Sequence, residues 1–299
     1  MKYSSTEEGM TTSSIFNLMR PHQYIKNLFI FLPLFFAHKI TDLALFSDTV
    51  IAFLAFSLTA SAIYVLNDYY DVVDDRRHPS KKDRPLASGA ITNHQAFLIM
   101  TILLVAGVLL MTMVSFAAVA VMLAYVAINI AYSKYLKHVP ILDVTIIAIG
   151  FVLRILVGSV TTDTPLSMWI IIMTFLLALF LALAKRRDDV LIYLNTGEKM
   201  RKVIDGYNLQ FLDIAIAIMA PVVIVAYILY TTSTEVIARV QSEYLYLTAL
   251  FVVVGVMRFL QIIFVEKDSG SPTRIILKDP FIQFTVFGWI ATFIWLLYY

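Results

Sequence analysis

The sequence predicts an all-α integral membrane protein, and three observations lead to that fold class. Of its 299 residues, 60% are hydrophobic and only 15% are charged, whereas soluble domains carry about 25% charged residues. Apolar runs recur along the chain, many of them near the roughly 20 residues that cross the hydrocarbon core of a bilayer. Lys and Arg are concentrated in alternate connections between those runs, as expected of a chain that crosses a membrane repeatedly.

Nine transmembrane helices are predicted, of which the first is the weakest because its apolar run is short. The spans are 24–38, 48–66, 94–112, 115–133, 141–160, 167–184, 211–230, 243–265 and 280–298. Residues 1–14 lack the basic start and apolar run of a cleaved signal peptide, so we expect a disordered tail. Residues 15–299 are expected to form a single transmembrane helical domain.

The placement of Lys and Arg predicts the orientation of the spans, because translocated loops carry few of them. Loops on one side contain only Lys39 and Arg239. The loops on the other side contain Arg76, Arg77, Lys81, Lys82, Arg84, Lys134, Lys137, Arg186, Arg187, Lys199, Arg201, Lys202, Lys267, Arg274 and Lys278. We therefore expect a multi-pass protein of the inner (cytoplasmic) membrane with a cytoplasmic N-terminus and Tyr299 outside. Loops 67–93 and 185–210 are expected to cap an active site that faces the cytoplasm.

Acidic side chains crowd the end of the second span, where residues 67–75 read NDYYDVVDD. On a helix Asn67, Asp71 and Asp75 are successive i,i+4 neighbours, and Asp68 lies three residues before Asp71. Carboxylates so placed repel one another unless a hard cation lies between them, and Mg²⁺ typically binds one or two carboxylates together with substrate phosphate oxygens. The alternative is a solvated acidic helix end, although acids there oppose the helix dipole. The spacing favours a magnesium–diphosphate site.

Basic residues near the predicted cytoplasmic ends of other spans are candidates for binding phosphate. These candidates are Lys26, Arg84, Lys134, Lys185 and Arg186. Ordinary positive-inside topology and favourable lysines at helix C-termini are the alternative explanations. Arg154 differs, because it lies within the fifth span, where a charge is costly and is a functional candidate by default; pairing with Asp163 or extension toward the outer face remain alternatives.

Other site types are excluded or not expected. The chain has no cysteine, which excludes disulfides and thiolate metal sites, and its five histidines lack metal-ligand spacing. No nucleic-acid partner is expected. Membrane lipid is an expected partner, and the sequence leaves a homo-oligomer open.

These residues resemble the UbiA superfamily of intramembrane prenyltransferases, whose NDxxDxxxD signature matches residues 67–75. The chain looks most like its decaprenyl-phosphate phosphoribosyltransferase branch. The further matches are RPHQYIKN at 20–27, the run 75–89 ending in RPLASG, YSK at 132–134 with 137–138, GFVLR at 150–154 and KR at 185–186. Members with aromatic acceptors usually carry a second aspartate-rich motif after the sixth span; here KRRDD occupies 185–189, which favours the phosphoribosyl branch.

The resemblance implies a magnesium-dependent membrane transferase of cell-envelope biosynthesis. It would move 5-phosphoribosyl from 5-phosphoribosyl 1-diphosphate to a polyprenyl (decaprenyl-type) phosphate and release diphosphate. Asp68 and Asp71 would hold Mg²⁺, with Asn67 as a further ligand and Asp75 assisting. Lys26, Arg84, Lys134, Lys185, Arg186 and Arg154 would position the phosphates.

Two other functions stay open at this point. A UbiA-type prenyltransferase would use the same aspartates to move a prenyl group from a prenyl diphosphate to an aromatic or quinone-precursor acceptor. A lipid-phosphate transporter is disfavoured, because transporters tend to place ionisable groups at the membrane midplane and to contain broken helices.

Overall fold

A computed structural model of the chain describes residues 11–77, 81–197, 202–266 and 272–298. This part of the chain is all-helical and contains no strand. The α-helices, in chain order, are α1 (Thr12–Met19), α2 (Leu32–Phe36), α3 (Leu43–Arg77), α4 (Pro85–Ser88), α5 (Asn93–Thr112), α6 (Phe116–Lys134), α7 (Leu142–Thr162), α8 (Met168–Thr196), α9 (Leu209–Thr232), α10 (Thr234–Val240), α11 (Ala249–Gln261), α12 (Pro272–Lys278) and α13 (Pro280–Tyr298). Short 3₁₀ segments cover Pro21–Phe31, Leu136–His138, Lys202–Gly206 and Glu243–Thr248, and a π-helical turn covers Ile262–Glu266.

Eight helices among the described residues are long and apolar enough to cross a membrane. They coincide with the second to ninth predicted spans, so the all-α membrane fold is confirmed. The first predicted span, 24–38, forms a 3₁₀ segment followed by the five-residue α2. The count of nine is therefore not confirmed.

The second span belongs to a helix much longer than the apolar run that predicted it. Hydropathy ends the span at residue 66, but α3 continues to Arg77. In the same way α8 continues past residue 184 to Thr196. The predicted connections 67–93 and 185–210 thus begin as helix, which gives their polar residues fixed helical spacing.

Some predicted features fall wholly or partly outside the described residues. The predicted tail 1–14 is one, since residues 1–10 are not described, whereas 12–14 already belong to α1. Lys199, Arg201, Lys267 and Tyr299 also lie outside the described residues.

The chain divides into two compact units. The first contains the described residues up to Lys137 together with Leu153–Pro165, and the second contains His138–Val152 and the described residues from Leu166 onward. In the first unit α3 is the most enclosed helix: 61% of its most apolar stretch is buried, against 22% for α5. The α3 helix therefore forms the centre of the first unit, and its Phe56 shares a hydrophobic core with Met122 of α6.

Glycines permit two close helix contacts in the first unit. A Cβ on Gly107 of α5 would lie 2.4 Å from Oγ1 of Thr59 on α3. A Cβ on Gly158 of α7 would lie 2.0 Å from the carbonyl oxygen of Ile30. Because these distances are far inside van der Waals contact, only glycine lets the backbones approach so closely. The second contact holds the 3₁₀ segment Pro21–Phe31 against α7.

The second unit has its own core. Apolar side chains of α8, α9 and α11, among them Phe180, Leu212 and Phe259, pack around the 3₁₀ segment Lys202–Gly206. The α9 helix passes through Pro221 without ending.

Candidate active site

The polar end of α3 carries the predicted motif on one helix face. Asp68 and Asp75 are 2% and 4% exposed, and Asp71 is half-buried. Asp74, between them in sequence, is exposed. A row of buried carboxylates is costly unless cations compensate it, so the partners of these acids decide what the site can do.

Two arginines reach Asp68 from different parts of the chain. Nη2 of Arg20 donates to both carboxylate oxygens of Asp68, at 2.7 Å to Oδ2 and closer still to Oδ1. Nη1 of Arg84 donates to Oδ1 of Asp68 at 3.1 Å and to Oδ2 of Asp75 at 2.6 Å. Arg84 therefore bridges the two buried acids, and Asp68 accepts hydrogen bonds from both guanidinium groups.

Local sequence explains why both arginines point at α3. Arg20 ends α1 in a left-handed conformation, with φ 55°, immediately before Pro21. Arg84 is extended, as the residue before a proline tends to be. Apolar packing of Leu18 and Leu86 against Val65 holds both segments beside α3.

The third acid, Asp71, has a lysine partner. Nζ of Lys137 contacts Oδ1 of Asp71 at 2.5 Å, and Nδ2 of Asn67 donates to Oδ2 at 2.9 Å. Lys137 is buried, whereas the phosphate ligand predicted for this region is Lys134. Lys134 is exposed and lies over the ring of Tyr135. The structure thus brings Lys137, rather than Lys134, to the motif.

A second group of polar side chains in the first unit surrounds Arg154. The Arg154 side chain is 4% exposed; its Nε donates to Oδ1 of Asn27 at 2.8 Å, and its guanidinium lies 5.1 Å from the ring centres of Phe56 and Tyr125. The alternative partner Asp163 is exposed. Arg154 is therefore held inside the unit and does not extend to its surface.

Lys26 lies near this arginine. It is half-buried and feels the positive charges of both Arg154 and Arg20. In the described part of the chain, no carboxylate lies within ion-pair distance of Lys26. Cations held near one another in this way favour the binding of an anion.

The predicted phosphate ligands of the second unit have other surroundings. Arg186 is buried, and its Nη2 lies 2.8 Å from Oδ2 of Asp143 while its Nη1 donates to Asp189 at 2.5 Å. The Tyr207 hydroxyl donates to Oδ1 of Asp143 at 2.6 Å. Two carboxylates already neutralise Arg186, which indicates a structural ion pair. Lys185, one residue earlier, is exposed.

Tyr207 is part of the same buried network. Burial, and then the hydrogen bond donated to Asp143, raise the pKa of the Tyr207 hydroxyl. The hydroxyl also accepts a hydrogen bond from the backbone N–H of Ile141 at 2.6 Å. It therefore stays protonated at neutral pH and fixes the carboxylate that faces Arg186.

The donor set at α3 suits a hard cation. Asp68, Asp71, Asp75 and Asn67 offer only oxygen ligands on one helix face, the chemistry that Mg²⁺ prefers. In the described residues no group of three or more acids or histidines is close enough to hold a metal ion by itself. That is consistent with Mg²⁺, which is usually bound by one or two carboxylates plus substrate phosphates. The neighbouring cations suit the phosphate groups themselves.

Sequence reasoning missed two residues at this site. From the sequence, Arg20 is only part of a matching run, and the predicted phosphate ligand is Lys134 and not Lys137. Signals for both existed: Arg20 stands before a proline that ends a helix, and Lys137 lies three residues beyond Lys134. Neither signal identifies Asp68 or Asp71 as the partner, because those contacts join residues 48 and 66 positions apart.

Comparisons with known proteins find similar sequences along most of the chain and a similar fold. A family model described as the UbiA prenyltransferase family matches residues 28–284. The decaprenyl-phosphate phosphoribosyltransferase of Mycolicibacterium smegmatis is 30% identical over 295 residues, covering 94% of this chain and 91% of that protein. The protein of the same name from Corynebacterium glutamicum is 28% identical over 284 residues, covering 94% and 85%.

Among solved structures, a UbiA homolog from Archaeoglobus fulgidus bound to DMAPP and Mg²⁺ has a similar fold. Its TM-score is 0.71 at 19% identity, with 95% of this chain and 99% of that chain covered. At that identity the likeness concerns the fold alone.

Proposed function

The chain belongs to the UbiA prenyltransferase family, and we propose that it transfers the 5-phosphoribosyl group from 5-phosphoribosyl 1-diphosphate to a polyprenyl phosphate, releasing diphosphate. The eight apolar helices among its described residues, together with the family, make it a multi-pass membrane protein. The observation that carries the proposal is the face of α3 where buried carboxylates meet arginine and lysine. Similarity to decaprenyl-phosphate phosphoribosyltransferases along almost the whole of both chains supports the choice of donor and acceptor.

The α3 carboxylates would receive the diphosphate of the donor. When bound there, Mg²⁺ neutralises charge that develops on the leaving diphosphate. We assign Asp68 and Asp71 as its ligands, with Asn67 and Asp75 in support. Arg20, Arg84 and Lys137 would hold the phosphate oxygens in place, because each already lies within hydrogen-bond distance of a motif carboxylate.

The cations around Arg154 would bind a second phosphate without a metal. Lys26 and Arg154 repel each other, and an anionic phosphate between them removes that repulsion. Two phosphate-bearing substrates also repel one another, so fixed cations lower the cost of bringing them together. Asn27 keeps Arg154 in position through the 2.8 Å hydrogen bond to Nε.

The transfer needs no general base on the protein. An oxygen of the acceptor phosphate, already anionic, forms the new bond to the anomeric carbon of ribose. The bond from that carbon to the diphosphate oxygen breaks, and the diphosphate leaves with the electron pair. The chain's contribution is therefore to position two anions and stabilise the leaving one, while its apolar helices accommodate the polyprenyl tail.

The remaining predicted ligands receive different roles. We assign Arg186 to the stability of the second unit, because Asp143 and Asp189 neutralise it. Lys185 stays a predicted phosphate ligand. We propose that the protein lies in the inner membrane and that its site faces the cytoplasm. Cysteine scanning of loop positions with an impermeant thiol reagent tests that orientation, since the chain has no native cysteine.

A transfer assay tests the proposal against the related prenyltransferase reaction. Purified protein in lipid nanodiscs is incubated with Mg²⁺, decaprenyl phosphate and ribosyl-labelled 5-phosphoribosyl 1-diphosphate, and in parallel with labelled prenyl diphosphate and an aromatic acceptor. We expect ribosyl label in the lipid fraction and no prenyl transfer. Movement of the prenyl label alone would identify an aromatic prenyltransferase instead.

A further inference from the structure

Three acids and three cations pair with one another at the end of α3. Asp68, Asp71 and Asp75 carry three negative charges, and the groups that contact them, Arg20, Arg84 and Lys137, carry three positive charges. All six side chains lie in the first unit. The network is therefore neutral by itself.

We propose that this network makes the site a receptor for the metal–diphosphate complex and excludes the free metal ion. A lone divalent cation would face three positive groups that already occupy the carboxylate oxygens. A lone diphosphate would face three carboxylates. Only a cation and a diphosphate arriving together supply partners for both sets, so the arginines and Lys137 can pass from carboxylate to phosphate oxygens as the metal takes their place.

Burial makes the exchange selective. Asp68 and Asp75 are almost fully enclosed and the side chain of Arg84 is only 25% exposed, so water compensates poorly for a lost partner. Any ligand must therefore replace the broken ion pairs at once. The inference deepens the proposed function, on which it rests for the metal–diphosphate assignment.

Metal binding in the absence of turnover tests this idea. Mn²⁺, which prefers the same oxygen ligands as Mg²⁺, is titrated into purified protein in nanodiscs, and free Mn²⁺ is measured by electron paramagnetic resonance. The titration is repeated with inorganic pyrophosphate, with correction for the Mn²⁺–pyrophosphate complex that forms in solution. In the wild type we expect at least about tenfold tighter binding of Mn²⁺ when pyrophosphate is present, because both sets of charges then find partners.

Replacing one of the three positively charged side chains with a neutral one is expected to reverse that preference. Arg84→Gln and Lys137→Gln leave the network with a net charge of −1, so each variant is expected to bind Mn²⁺ alone about tenfold more tightly than the wild type does. Each should also lose affinity for the Mn²⁺–pyrophosphate complex. Arg77→Gln is the matched control, because Arg77 is an exposed cation at the same helix end and, among the described residues, forms no ion pair with a motif carboxylate.

Thermal melts separate this exchange from a purely structural role. Removing the Arg84 guanidinium breaks its ion pair with buried Asp75, so Arg84→Gln is expected to melt at lower temperature. Mn²⁺ is expected to restore more stability to this variant than to the wild type. The proposal is overturned if folded variants bind Mn²⁺ no more tightly than the wild type. It is equally overturned if the wild type binds Mn²⁺ as well without pyrophosphate, a measurement that needs no variant.

This outcome is independent of the donor. Neither probe contains ribose or a prenyl chain, so an error in the assigned reaction leaves the binding result unchanged. Conversely, ribosyl transfer by a protein that binds Mn²⁺ alone would retain the proposed function and reject the exchange.

Discussion

Replacing Asp68 with asparagine removes the charge at the centre of the network while keeping the shape of the side chain. The amide still accepts a hydrogen bond, but it offers Arg20 and Arg84 no negative charge and is a poor ligand for a hard cation. We expect catalysis to fall much further than stability. Loss of one group that stabilises developing charge typically lowers kcat by about 10²–10³-fold.

The stability cost follows from the burial of the partners. Breaking a fully buried ion pair costs about 3–5 kcal/mol. Here Arg20 and Arg84 are 18% and 25% exposed, and Arg84 retains Asp75. Water and the second acid therefore offset part of the loss, which leaves about 2 kcal/mol. For a large domain that amounts to a fall in Tm of roughly 4–8 °C.

Asp74→Asn is the matched control, since Asp74 lies in the same motif but is exposed. Ribosyl transfer into lipid and thermal melting are measured for both variants in the same nanodiscs. Asp74→Asn should retain near-normal rates and Tm. The reasoning fails if folded Asp68→Asn keeps about a third or more of wild-type turnover, or if Asp74→Asn loses as much activity as Asp68→Asn does.

Three further substitutions separate positioning from packing. Lys137→Met should raise KM for the donor about tenfold or more, because a charge-assisted contact contributes about 1.5–3 kcal/mol. Lys134→Met is the control and should leave KM unchanged. Equal effects of the two substitutions in steady-state kinetics would contradict the assignment of Lys137. Arg186→Met leaves Asp143 buried without its cation, so we expect about 3–5 kcal/mol of destabilisation and loss of folded protein in size-exclusion chromatography; a stable but inactive variant would instead favour phosphate binding. Gly158→Ala inserts a Cβ against a backbone carbonyl, so a clear fall in Tm is expected, and an unchanged Tm would show that α7 can shift.

Helical spacing made the acidic motif predictable from sequence. Asn67, Asp71 and Asp75 lie on one face because i,i+4 geometry is local and does not depend on the rest of the fold. The C-terminal end of α3 was not predicted from hydropathy. Hydropathy indicates which residues are stable in the hydrocarbon core of the membrane, but not at which residue the helical hydrogen bonding ends. The helix continues to Arg77, beyond the apolar run.

The partners of the acids depend on tertiary structure. Lys134 and Lys137 look equivalent in sequence, but α6 ends at Lys134 and the next 3₁₀ turn redirects the chain so that Lys137 contacts Asp71. Arg186 looked like a phosphate ligand because it stands in a basic run. Its partner Asp143 is 43 positions earlier in the chain, and no local pattern links the two.

In the proposed exchange, the ion pairs that stabilise the first unit are also the ones that a substrate would break. Arg20, Arg84 and Lys137 come from three separate segments, and each forms an ion pair with a carboxylate of α3. The network therefore joins those segments to α3 as well as neutralising the acids. A substitution that strengthened these pairs would stabilise the unit and at the same time weaken ligand binding. We therefore expect stability and substrate affinity to be opposed at this site. Because a ligand that engages both charge sets replaces every pair it breaks, the metal–diphosphate complex is expected to stabilise the protein more than either of its parts does alone.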